Sequence, residues 1–150
     1  MLGNMPLKIN VMLVMAPERS LALLAALESC GIDALAVYDC REARRILEMQ
    51  PSVQVVLTDT ILPDGDWQQV LTVVAQGSAN IAEVVVCSRL GDYKLWMDVL
   101  EQGGYDVLVE PYDGEEIKRI LEGAAARCQC GVRASSANDT LNQAPSSAEC

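Results

Sequence analysis

The stretch Val53–Trp67 reads VQVVLTDTILPDGDW. Apart from Gln54, the residues from Val53 to Leu57 are apolar. Such a run is too continuous for a strand with one wet face and suits a parallel strand covered on both faces by helices. It stops at Thr58 and Asp59, which places a carboxylate at the strand's C-terminal end, the edge where ligands and chemistry gather in open α/β sheets. Leu62-Pro63-Asp64-Gly65 then turns the chain, because Pro presets φ and Gly accepts a positive one. Trp67, Val70, Leu71 and Val74 follow at i, i+3, i+4 and i+7, the period of a helix. An Asp after a strand is by itself more often a turn former or cap than a functional group, so any role for Asp59 rests on the rest of the chain.

The same alternation extends to both sides. Lys8 to Met15 reads as a buried strand, followed by a helix that Pro17 opens, that Leu23, Leu24 and Leu27 face inward and that Gly31 ends. Ala34 to Tyr38 is a second strand. Asp39-Cys40-Arg41-Glu42 has capping-box spacing and starts a helix that Pro51 closes. After the central strand and its helix, Glu83 to Cys87 is a fourth strand ending at Ser88. Asp92 to Gln102 is a helix whose apolar residues sweep roughly 200° of arc, about twice what packing on one sheet face requires. The surplus is expected to be exposed and to serve a partner. Tyr105 to Val109 is a fifth strand ended by Glu110-Pro111, and Asp113-Gly114-Glu115-Glu116 caps a last helix with Ile117, Ile120, Leu121 and Ala124 inward. Asp64 and Asp66 read as turn and cap residues. Five strands alternating with five helices predict an α/β domain with a central five-stranded parallel sheet and helices on both faces. The domain is expected over residues 1–126, and the aperiodic remainder, 127–150, as a disordered tail.

Composition narrows the function. The chain has 150 residues, 51% of them hydrophobic, enough for one domain with a core of its own. Its net charge of −10 argues against nucleic acid, which needs a basic surface. No apolar run reaches the length of a membrane span, and Ile9 to Ala16 lacks the flanks of a signal peptide. Six cysteines without a single histidine offer no zinc pattern: Cys30, Cys40 and Cys87 sit as small hydrophobes, while Cys128, Cys130 and Cys150 fall in the expected tail. A reducing cytoplasm is the compartment this implies.

The landmarks Asp59, Leu62-Pro63-Asp64-Gly65, Ser88 and Glu110-Pro111, with Gly103-Gly104-Tyr105-Asp106 before the last strand, resemble the receiver domain of bacterial response regulators, from Lys8 to about Arg127. The resemblance implies a (βα)5 flavodoxin-like fold with sheet order 2-1-3-4-5. It also implies aspartyl phosphorylation at Asp59, with Ser88 as the hydroxyl that binds the phosphoryl oxygens, an acidic pair that holds Mg²⁺ and a lysine on the fifth strand. Here the acidic-pair positions are Met15 and Ala16, and the lysine position is Glu110. A phosphoacceptor without these cations repels a phosphate donor. Val107 stands where the family often carries an aromatic residue.

Three readings follow. The first is an atypical, phosphorylation-independent receiver in a two-component or phosphorelay system, not an enzyme, without a cofactor. It would act by contact with proteins (a histidine kinase, an effector or a second copy) through Tyr93, Trp96, Tyr105 and Tyr112 on the fourth helix, fifth strand and fifth helix. The second is a working phosphoacceptor that binds Mg²⁺ in an unusual way, through Asp59 and Glu18. The third is a flavodoxin-like enzyme, for which the chain lacks a glycine-rich phosphate loop. Under the first reading Glu110 faces Asp59 with no cation between them, so that Glu110→Lys is expected to stabilise the domain.

Overall fold

In the computed structural model, residues 9–50, 52–76 and 82–141 are described, with 129–141 described by their backbone only. Lys8 and Pro51 lie outside them. Apolar β-branched runs make the five strands of the central sheet: β1 (Val11–Val14), β2 (Ala34–Val37), β3 (Val55–Asp59), β6 (Glu83–Ser88) and β7 (Asp106–Val109). All neighbours pair in parallel, in the order β2-β1-β3-β6-β7. The turn at Pro63-Asp64 is the tip of a small antiparallel hairpin, β4 (Ile61–Leu62) and β5 (Gly65–Asp66), which the sequence presents only as a turn.

Period-two alternation divides the core. Leu13, Met15, Val55, Leu57, Val85 and Cys87 face one way, against α1 (Pro17–Ser29) and α5 (Gly114–Leu141). Met12, Val14, Val56 and Val84 face the other, against α2 (Cys40–Met49) and α3 (Trp67–Gln76). A third cluster of Trp67, Val86, Val99 and Val107 seats α4 (Tyr93–Glu101). Helix starts follow the sequence signals. The Asp39 carboxylate accepts from Glu42 N–H at 2.8 Å, and Asp92 accepts from Lys94 N–H at 3.0 Å. Gly31 ends the first helix segment with φ +77°, a region open to glycine.

One boundary differs from expectation. Helix α5 runs to Leu141 and does not end near Ala126. Its apolar stripe fades there, but the following Ala, Arg, Gln and Ser residues include no proline, so nothing in the backbone interrupts the helix. Arg127 and Cys128 also belong to the packed domain. Arg127 Nε meets Glu83 Oε2 at 3.3 Å, and Cys128 is buried. The rest of the expected tail, 142–150 with Cys150, lies outside the described residues.

Candidate functional site

The parallel register aligns the C-terminal ends of the central strands. Asp59 ends β3 opposite Cys87, and Ser88 ends β6 opposite Val109. Glu110 comes next, with its N–H bonded to Ser88 O at 3.0 Å and its peptide bond to Pro111 cis. Asp59 is only 8% exposed. A carboxylate this buried needs charged or hydrogen-bonding partners.

Those partners come from α1. Pro17 and the carbonyl of Ala16, which accepts the N–H groups of Arg19 and Ser20, start the helix so that Glu18 points to solvent and Arg19 points across the sheet edge. Arg19 Nε donates to Asp59 Oδ2 at 2.8 Å and Nη2 to Asp59 Oδ1 at 3.0 Å, a bidentate fork. Arg19 Nη1 donates to Glu110 Oε2 at 3.1 Å. Asp59 Oδ1 also accepts the N–H of Thr60 at 2.8 Å, so both oxygens are engaged. The Asp59 hydrogen bond, working against burial, holds the Arg19 pKa above its ordinary value.

The expectation that Glu110 and Asp59 face each other without a cation is therefore corrected. Arg19 stands between them and bonds to both. Around it, Tyr112 Oη donates to Glu110 Oε2 at 3.4 Å, and burial, followed by the nearby Cys87 and Glu110, pushes the Tyr112 phenol up. Burial also pushes the Cys87 thiol up, with Asp59 adding to it and Arg19 opposing.

A divalent cation does not fit this residue set. Met15 is fully buried in the core and Ala16 carries no ligand atom. Glu18 is exposed on the outer side of the first turn, and the Asp59 carboxylate is already occupied by Arg19 and Thr60. Among the described residues no group of three or more Asp, Glu, Cys or His is placed to hold a metal. The Ser88 hydroxyl is turned into its own loop, donating to Leu90 O at 3.0 Å and accepting from Leu90 N–H at 3.1 Å. Asp64 and Asp66 act as caps, as their positions suggest: Asp64 accepts from the N–H groups of Cys40 and Arg41, and Asp66 from Gln68 and Gln69.

The aromatic residues separate into two pairs. Tyr93 is 72% and Trp96 39% exposed, with ring centroids 5.9 Å apart, and Leu90 and Leu100 extend the same apolar surface. Trp96 Nε1 donates to Asp106 Oδ1 at 3.2 Å. Tyr105 and Tyr112 are partly buried against the core. Tyr105 lies under the Arg127 guanidinium, 5.6 Å from its ring centre, and its hydroxyl fills the space where Gly123 has no Cβ. Val107, in the place of the switch aromatic, packs with Trp67 and Val99.

No family model matches the chain. Among curated proteins, the chemotaxis protein CheY of Listeria monocytogenes and that of Listeria innocua are each 26% identical over 95 residues, 63% of this chain and 71% of theirs. The two-component response regulator-like APRR3 of Arabidopsis thaliana is 29% identical over 106 residues, which cover 69% of this chain but 21% of that longer protein. Among solved structures, the Francisella response regulator 1452 receiver domain superposes with a TM-score of 0.66 at 21% identity, covering 80% of this chain and 98% of the other. The beryllofluoride-activated NtrC4 receiver domain dimer gives 0.64 at 23% identity, covering 77% and 98%. Sheet order and site position follow the receiver fold of these structures, and the sequence is similar to proteins of the response-regulator type.

Proposed function

We propose that this receiver works without phosphorylation of Asp59 and signals by contact with other proteins. The observation that carries the reading is the Arg19 fork on Asp59, with Glu110 as its third partner. The guanidinium occupies both oxygens of the would-be acceptor from inside the protein. Among the described residues no group of three or more Asp, Glu, Cys or His is placed to hold Mg²⁺, and the Ser88 hydroxyl is bonded within its own loop. A phosphate donor approaching Asp59 would have to displace a bidentate ion pair and would meet Glu110 in place of a lysine.

The surface that serves contact is the exposed strip of Leu90, Tyr93, Trp96 and Leu100 on and before α4. Aromatic anchors beside half-buried aliphatic residues suit a protein partner, whether kinase, effector or a second copy. The free thiols of Cys30, Cys40 and Cys87 agree with a cytoplasmic setting. The test is intact-mass measurement after incubation with acetyl phosphate and Mg²⁺. The expected result is no gain in mass. A gain of one phosphoryl group, lost in Asp59→Ala, would establish a working phosphoacceptor with an unusual metal arrangement.

A further inference from the structure

Strand β2 forms one edge of the sheet, and β7, beside which α4 is seated, forms the other. The N–H of Met15 donates to Val37 O at 3.1 Å. Backbone groups of a parallel strand turn alternately to either side, so Leu35 and Val37 face β1 while Ala34 and Ala36 turn their N–H and C=O groups outward. Among the described residues nothing pairs with these outward groups. The next one, the N–H of Tyr38, donates to Glu42 Oε1 at 3.3 Å. Exposed edges are ordinarily blunted by a charge, a proline or a bulge. Strand β7 begins with Asp106, whereas Ala34–Val37 carries none of these devices and leaves Leu35 38% exposed.

A depression of about 290 Å³ opens beside the start of this edge. Leu35 and Val53 line it with apolar surface, and Gln50, Ser52 and Asp33 with polar surface. Asp33 is the one charged residue that lines it; it is exposed and meets no cation among the described residues. An unpaired edge with a pocket alongside has the two parts that strand addition uses. Main-chain hydrogen bonds hold the incoming segment, and its alternate side chains fill the pocket. Asp33 and Leu35 are two residues apart, about 7 Å in extended chain, the spacing of side chains on one face of an added strand.

We propose that the β2 edge takes up an extended segment of a partner protein, with a lysine or arginine over Asp33 and an apolar side chain beside Leu35. In an antiparallel pairing the basic residue follows the apolar one by two positions. Its aliphatic stem lies along Leu35 and Val53 while its cation reaches Asp33. A second copy of this chain fits less well, because it brings the same net charge of −10 to the contact. The β2 edge is separate from the α4 strip and does not depend on the state of Asp59, so this proposal and the phosphorylation-independent reading fail separately.

The experiment uses the full chain and a fluorescent peptide, Thr-Val-Thr-Leu-Thr-Lys-Thr-Val, followed by anisotropy and by amide hydrogen exchange. Two peptides serve for comparison, one with Glu for Lys and one N-methylated on the two Thr that flank Leu, which removes the donors that would pair with Ala34 and Ala36. The expected result is binding of the first peptide, about ten-fold weaker binding of the Glu form and none of the methylated form. Leu35→Lys, which places a charge on the edge, should weaken binding about ten-fold, and Glu122→Gln, an exposed acid on α5, should leave it unchanged. In the wild-type chain the peptide should slow exchange of the Ala34 and Ala36 amides, a readout that does not rest on any variant folding. No binding, equal binding of the methylated peptide or of the Glu form, or unchanged exchange at Ala34 and Ala36 would overturn the proposal. So would protection of these two amides before peptide is added, which would show that the edge is covered by residues 1–8 of this chain or by a second copy.

Discussion

Arg19 and Asp59 meet as fork and carboxylate across the C-terminal edge of the sheet, with Nε 2.8 Å from Oδ2 and Nη2 3.0 Å from Oδ1. The pair joins the first turn of α1 to the end of β3, and the third nitrogen carries the link on to Glu110 at the entry to α5. Receiver pockets concentrate acidic groups around a phosphoacceptor. Here one guanidinium bridges two carboxylates and offsets one of their two negative charges.

Removing that guanidinium leaves a nearly buried carboxylate unpaired beside a second one. Arg19→Met is expected to lower stability at pH 7 by about 2–3 kcal/mol, near the lower end for breaking a buried ion pair, since both side chains retain some exposure. Urea denaturation of the two proteins at pH 7 measures it, and an unchanged midpoint would show that Asp59 does not depend on Arg19.

Glu110→Lys tests the same geometry from the other side. The sequence alone makes this change stabilising, because it puts a cation beside Asp59. The structure reverses the sign: the new ammonium would face Arg19 Nη1, whose partner it replaces. Glu110 is about a third exposed, so solvent screens much of the repulsion and the loss should be about 1 kcal/mol at pH 7. A higher urea midpoint than wild type would refute the bridging role of Arg19.

The sheet, its order and the position of the site were legible because they rest on strong, redundant signals. The apolar run Val55–Leu57, Pro63 and Gly65 in the turn, and the caps Asp39 and Asp92 all lie where their chemistry puts them. The content of the site was legible only by subtraction. Met15, Ala16 and Glu110 showed what had been lost, but the replacement cation lies 40 residues from Asp59 in sequence and no local pattern joins them. One signal was available. Arg19 is a cation in the first turn of a helix, where the dipole is unfavourable, and such a placement calls for an anion nearby. The neighbouring carboxylate of Glu18 is the more obvious metal ligand by residue type, yet it lies exposed on the outer side of the turn. Tyr105 and Tyr112 flank the same strand edge as Tyr93 and Trp96, and only packing separates the seated pair from the exposed one.

Packing continues past the fading of the apolar period at Ala126, through Arg127 and Cys128. Arg127 pairs with Glu83 and covers the Tyr105 ring, while Cys128 is buried. A chain ended after Ala126 should be less stable than one ended after Cys128 by about 1–2 kcal/mol, from one exposed ion pair, one cation–π contact and one small buried side chain. Thermal unfolding of the two truncations decides it. Equal midpoints would place the boundary at Ala126.

Glu83 offers the clearest pH dependence in the wild-type chain. It begins β6 with its side chain only 11% exposed, while its partner Arg127 is largely in solvent. Burial raises the Glu83 pKa, and Arg127 offsets this only in part, so the net direction is upward. A carboxyl group with a raised folded pKa gives its stabilisation in full below the unfolded value, near 4.3, and loses it as pH climbs through the folded value. At pH 7 the buried charge is therefore a net cost that a neutral amide of the same shape would not carry. Glu83→Gln is expected to raise stability at pH 7 by about 0.5–1 kcal/mol even though the Arg127 ion pair is lost, since an ion pair with an exposed arginine contributes little. The gain should shrink towards zero as pH falls to about 4, where the wild-type carboxyl is also neutral. Arg127→Met should act in the opposite direction at pH 7, because it removes the one group that eases the charge. Chemical denaturation of the three proteins at both pH values provides the comparison. A Glu83→Gln variant less stable than wild type at pH 7 would mean that the ion pair outweighs the burial of the carboxylate.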